Sequence, residues 1–143
     1  MADETRDDMI GTSYRRTAAV WLAAIASVAI LVLGIRAFLD PVSASAGFGL
    51  PMHTQSETTF VRVYGARNAL LGVLALAFIA GGMLRPLTLL FTFATALPLL
   101  DAAVITSRIG VGHELIRHAA ILPVLVAASA ALWRSSAARR QPD

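Results

Sequence analysis

The chain has 143 residues, a net charge of +3 and no cysteine; 57% of its residues are hydrophobic, only 15% are charged, and the mean hydropathy is +0.68. Soluble domains carry about a quarter charged residues, so this composition excludes an ordinary soluble fold, and the gathering of the apolar residues into long blocks points to a membrane protein. Without cysteine there are no disulfides, thiolate nucleophiles or thiolate metal sites, and the basic residues, all arginine, flank apolar blocks instead of forming an aromatic-studded basic face, which argues against nucleic acid as a partner.

Taken in order, the chain opens with a polar tail, residues 1–16, expected to be mobile and cytoplasmic. The first apolar block, Thr17–Leu39, is long enough to cross a bilayer as a helix, which takes about 20 residues. Arg15-Arg16 before it and "SASAG" (Ser43–Gly47) after it resemble a secretory signal. The block exceeds the roughly 7–15 residues of a secretory apolar core, so an uncleaved anchor is expected.

The connection from Asp40 to Phe60 is the one long link. Asp40 followed by Pro41 reads as an N-cap with proline at the first helical position, so a short interfacial helix is expected from Pro41 to about Gly47. The segment then serves as a lid or as a spacer. Further apolar blocks follow at Val61–Gly82, Pro86–Thr106 and Glu114–Trp133, joined by "GGMLRP" and "SRIGVGH", links so short that neighbouring spans must run antiparallel. "GGM" and the alanine-rich runs are expected to let helices approach closely. Trp21 and Trp133 suit the aromatic belts at the two ends of a bundle.

The expected fold is therefore all-α: an integral membrane four-helix bundle over residues 17–133, with a short helix between the first and second spans and a cytoplasmic tail over 134–143. Arg6, Arg15, Arg16, Arg85, Arg134, Arg139 and Arg140 fall on one side if the spans alternate, which places both termini in the cytoplasm of a multi-pass protein of the cell membrane.

One layer of this bundle carries polar residues. Counting inward from the outer side at about 1.5 Å per residue, Asp101 lies ~7 Å deep, His118 ~6 Å, and Arg67 and Asn68 ~9–10 Å. Tyr64, Arg67, Asn68 and Leu71 share a helical stripe, and Glu114 stands one turn before His118. Pro98 shares a face with Asp101 and frees a backbone carbonyl near that depth. Arg36 is expected to snorkel to the headgroups, and Thr88, Thr95 and Thr106 to bond their own backbone. His53, His113 and His118 are too scattered for a metal site, and no motif implies a cofactor or sets an oligomeric state.

Ionisable groups at such depth face the bundle interior or a wet cavity. Two readings compete. In one, Asp101 and His118 exchange protons with a lipophilic small molecule, while Arg67, Asn68, Tyr64 and Glu114 bind it, as in cofactor-independent isomerisation or cyclisation. In the other, an Asp101–Arg67 ion pair capped by His118 locks helix packing in a non-catalytic membrane subunit.

The segments "FLDPVSASAGFGLP" (Phe38–Pro51), "VYGARNALLG" (Val63–Gly72), "ALPLLDAAV" (Ala96–Val104) and "HAA" (His118–Ala120), in that order and at those distances, resemble the small four-helix membrane family catalogued as domain of unknown function 4267. The resemblance implies a multi-pass membrane protein and carries no assigned activity. The family's second span typically opens with Gly, a variable residue, then Arg-Asp; Gly65, Ala66 and Arg67 match, but Asn68 replaces the acid. Asp101 is then the one acid in the layer, with Glu114 at its rim, which weakens any two-carboxylate mechanism.

Overall fold

Sustained apolar runs without internal breakers make helices, and the computed structural model is all-helical among the residues it describes. Those are residues 2–47, 50–110 and 113–137 for the backbone, with side chains over 17–47, 50–104, 106–107, 110 and 121–136. The elements are α1 (Ala2–Leu39), α2 (Pro41–Gly47), α3 (Gln55–Ala80), α4 (Leu84–Ala94), α5 (Ala96–Ile109) and α6 (His113–Ala137). Thr17–Leu39, Gln55–Ala80 and Leu84–Val104 are each long and apolar enough to cross a membrane, and Ile121–Ser136 is a shorter apolar stretch of α6.

Three boundaries differ from the sequence expectation. Helix α1 continues back to Ala2, well before the start of the first apolar block, in a stretch that contains no proline. The third apolar block is not one helix: α4 ends at Ala94 and α5 begins at Ala96. Pro98 has no N–H to give the Ala94 carbonyl, and its ring crowds that group, so a continuous helix is penalised here. Restarting at Ala96 places Pro98 in a first turn, where the missing donor is not needed. The Thr95 hydroxyl then donates to the Phe91 and Thr92 carbonyls at 2.8 and 2.9 Å, covering the end of α4.

The third difference is the start of α3, at Gln55 and not Val61, nearly two turns earlier than hydropathy suggests. Thr54 and Glu57 form a reciprocal capping box, the Glu57 carboxylate accepting from the Thr54 and His53 N–H groups at 3.0 and 3.2 Å. The Thr-x-x-Glu pattern was the available signal.

Helix α2 forms where expected. Asp40 caps it by accepting from the Ser43 N–H at 3.1 Å. It is tied down on both sides: Arg36 of α1 donates to the Ser43 hydroxyl (3.2 Å), and the Met52 N–H donates to the buried Ser45 hydroxyl (3.1 Å). Ala44 packs with Ala37 of α1 and Val61 of α3, backed by Met52.

Close helix approach falls on other glycines than Gly81 and Gly82. Those two make the α3–α4 turn, Gly82 with a left-handed φ of 64° and Met83 N–H bonded to the Phe78 carbonyl at 2.8 Å. Instead α1 and α3 cross at Gly34 and Gly65. A β-carbon on Gly34 would stand 2.7 Å from the Gly65 carbonyl oxygen, and one on Gly65 would stand 2.6 Å from that of Gly34. Two turns on, a β-carbon on Gly72 would meet the backbone of Ser27 and Leu31 at 2.9 Å. Small residues allow this backbone-to-backbone packing, and Gly65 with Ala69 is the small-x-x-x-small pattern that favours it.

The apolar core lies at the opposite end of the helices. Ala19 and Ala23 of α1, Ala75 of α3, Leu84, Leu87 and Phe91 of α4, and Ala128 and Leu132 of α6 form one buried cluster. Near it α4 and α6 are joined by hydrogen bonds: Thr92 Oγ1 lies 3.0 Å from Ser129 Oγ and accepts from the Trp133 indole N–H at 2.9 Å.

Candidate functional site

The stripe Tyr64, Arg67, Asn68, Leu71 sits on α3 beside its α1-facing surface. Tyr64, Asn68 and Leu71 are half-buried and Arg67 is exposed. Seven residues beyond Asn68 is Ala75, buried in the core, so Asn68 occupies the upper part of the face that closes the bundle lower down. Tyr64 and Asn68 stand one helical turn apart at i,i+4, within interaction range of each other.

Asp101 reaches this group from α5. It is half-buried and lies, like Arg67, within electrostatic reach of the Tyr64 hydroxyl. Asp101 is itself engaged in an interaction. Among the described residues Arg67 makes no ion pair, with Asp101 or with any other acid. Arg67 and Asn68 of α3 and Asp101 of α5 thus all lie within interaction range of Tyr64. The side chains of His118 and Glu114 lie outside the described residues.

The surroundings of these four groups differ from those of a packed core. Near the turn α3 packs on α4, but among the described residues α3 makes no broad contact with α5, which rests on α4 and α6. The two spans therefore diverge from Gly81–Met83 toward the polar end, and the polar side chains stand where they part. Asp101 lies between a half-buried flank, Pro98 and Ala102, and an exposed flank, Leu97, Leu100 and Val104.

Neighbouring candidates separate from the site. Arg36 turns to Ser43 on α2. Thr88 and Thr95 bond carbonyls one turn back, at 2.6 and 2.8 Å, as hydroxyls in apolar helices do. No group of three potential metal ligands occurs among the described residues. Residues the sequence did not single out as partners are Thr92, Ser129 and Trp133, whose link spans two helices 41 positions apart and leaves no local pattern to read.

Chemically, the site offers a phenol, an amide and a guanidinium as donors, and one carboxylate as acceptor or base. That set can orient a single oxygen and move a proton beside it. Comparison with curated proteins and with solved structures gives no match. The family model described as Domain of unknown function (DUF4267) matches residues 27–132, a stretch that contains the α1–α3 crossing, α2 and every described residue of the polar cluster. With most of its length and all of its candidate site inside that match, the chain belongs to the DUF4267 family.

Proposed function

We propose that this chain is a four-span integral membrane protein of the cell membrane, both termini cytoplasmic, that binds a lipophilic small molecule at the Tyr64–Arg67–Asn68–Asp101 cluster. There it carries out cofactor-independent proton transfer, such as isomerisation or ring closure. Asp101 is the base, with His118 of α6 as second proton carrier and Glu114 at the rim. Tyr64, Asn68 and Arg67 hold the substrate oxygen as charge develops on it.

One observation carries this reading: the cation of the cluster, Arg67, is exposed and takes no part in the contacts that clamp the helices. Backbone contact at Gly34 and Gly65 joins α1 to α3, and the cluster around Leu87 and Leu132 closes the other end. A helix lock would bury an Asp101–Arg67 pair; instead Arg67 is exposed and, among the described residues, unpaired. Ionisable groups kept within apolar spans without a packing role mark functional sites.

Native mass spectrometry of the protein extracted from membranes tests the proposal. The wild type is expected to retain a small lipophile that Asp101→Asn and Arg67→Gln lose at least tenfold at unchanged melting temperature. An identical complement of bound molecules in all three favours the non-catalytic structural subunit.

A further inference from the structure

On α3, Phe60, Arg67 and Leu74 recur every seven residues, and all three are exposed. Arg67 is thus one cation set in an apolar stripe. It stands next to the half-buried Tyr64 and Asn68 and on the side where α3 and α5 part. On α5 the exposed flank of Asp101 is equally apolar: Leu97, Leu100 and Val104 are 40%, 61% and 63% exposed. Toward the turn, the space between the two spans is closed by Ala75, Leu87 and Phe91. Among the described residues, the polar groups thus stand between an apolar lower end and apolar exposed flanks.

A guanidinium facing acyl chains is costly unless an anion meets it. Its planar fork matches a carboxylate bidentately. Asp101 behind Tyr64 already supplies one negative charge to the cluster, so the site suits a monoanion and opposes a phosphate dianion. We infer that the ligand of this site is a long-chain carboxylate that enters sideways from the outer leaflet between α3 and α5. Its carboxylate rests on Arg67 and its chain lies along Leu97, Leu100 and Val104. This rests on the binding reading above and adds the ligand's charge and route.

The test uses the full chain in nanodiscs of zwitterionic phospholipid, with a diazirine-bearing palmitate as probe. A diazirine-bearing fatty alcohol of the same length serves as the uncharged control. The palmitate probe is expected to label peptides of α3 and α5 at least tenfold more strongly than the alcohol. Free palmitate competes and its methyl ester does not. Arg67→Gln abolishes the preference, Arg67→Lys restores part of it, and Leu100→Trp, which adds bulk beside Asp101, reduces labelling while leaving the melting temperature unchanged. Equal labelling by both probes, still dependent on Asp101 and Tyr64, overturns the carboxylate and leaves the binding site standing. Labelling spread evenly over all lipid-facing helices and indifferent to Asp101→Asn overturns both. Labelling suppressed by added phosphatidylglycerol but not by palmitate overturns the inference in favour of a phospholipid headgroup.

Discussion

Gly34 and Gly65 meet backbone to backbone: each carbonyl oxygen occupies the place next to which the other residue's β-carbon would stand, at 2.7 and 2.6 Å. Glycine in a helix interior costs about 1 kcal/mol relative to alanine. Here the neighbour is backbone, which cannot rotate away, so the crossing outweighs that propensity. Gly34→Ala and Gly65→Ala are each expected to destabilise by about 1–3 kcal/mol, the usual range for overpacking. Reversible unfolding in mixed micelles reads the difference; a stabilised alanine variant would show that α1 and α3 do not cross here.

Ser45 pins the segment that follows α2. Its hydroxyl donates to the Val42 carbonyl (2.8 Å) and accepts from the Met52 N–H (3.1 Å). Ser45→Ala strands that N–H, and a stranded buried group costs about 1–3 kcal/mol. Faster proteolysis between Leu50 and Thr54, with the rest of the chain equally resistant, is the expected result. In this conformation α2 is held on α1 and α3 by Arg36, Ala37, Val61 and Met52.

Much of this fold is legible in the sequence, for separable reasons. Hydropathy alone marks the apolar blocks, and Asp40-Pro41 marks α2, because length and capping are local properties. The stripe Tyr64, Arg67, Asn68 is legible from helical spacing, because a single helix fixes which of its side chains share a face. The α4–α5 break is not, because Pro98 at an interior position is compatible with either a kinked helix or a restart. Which glycines meet is not legible either, since Gly34, Gly65, Gly72, Gly81 and Gly82 look alike until the crossing is known. Trp133 reads as a membrane-belt residue, yet its indole N–H is turned to Thr92.

That Thr92–Trp133 bond joins α4 to α6 beside the core. Interhelical hydrogen bonds in membrane proteins average about 0.6 kcal/mol and reach about 1.7. A double-mutant cycle with Thr92→Val and Trp133→Phe is expected to give a coupling within that range. Zero coupling would mean the two side chains do not meet.

The absence of cysteine makes topology directly measurable, since single introduced cysteines have no background. Membrane-impermeant maleimide applied to intact cells is expected to label Gln55→Cys and to leave Ser13→Cys and Ser136→Cys unlabelled until the membrane is opened. The reverse pattern would invert the orientation and move the polar cluster to the inner leaflet.

Whether Asp101 serves binding or packing is decided most directly by the melting temperature of Asp101→Asn in detergent, beside that of Leu87→Ala. Leu87 is fully buried in the core, and its truncation is expected to cost about 2–5 kcal/mol. The binding account predicts that Asp101→Asn melts at or above the wild-type temperature, as happens when a group is retained for function at the expense of stability. Removing one member of a buried structural pair costs about 3–5 kcal/mol. A fall for Asp101→Asn comparable to that of Leu87→Ala would make it a helix lock and contradict the proposed site.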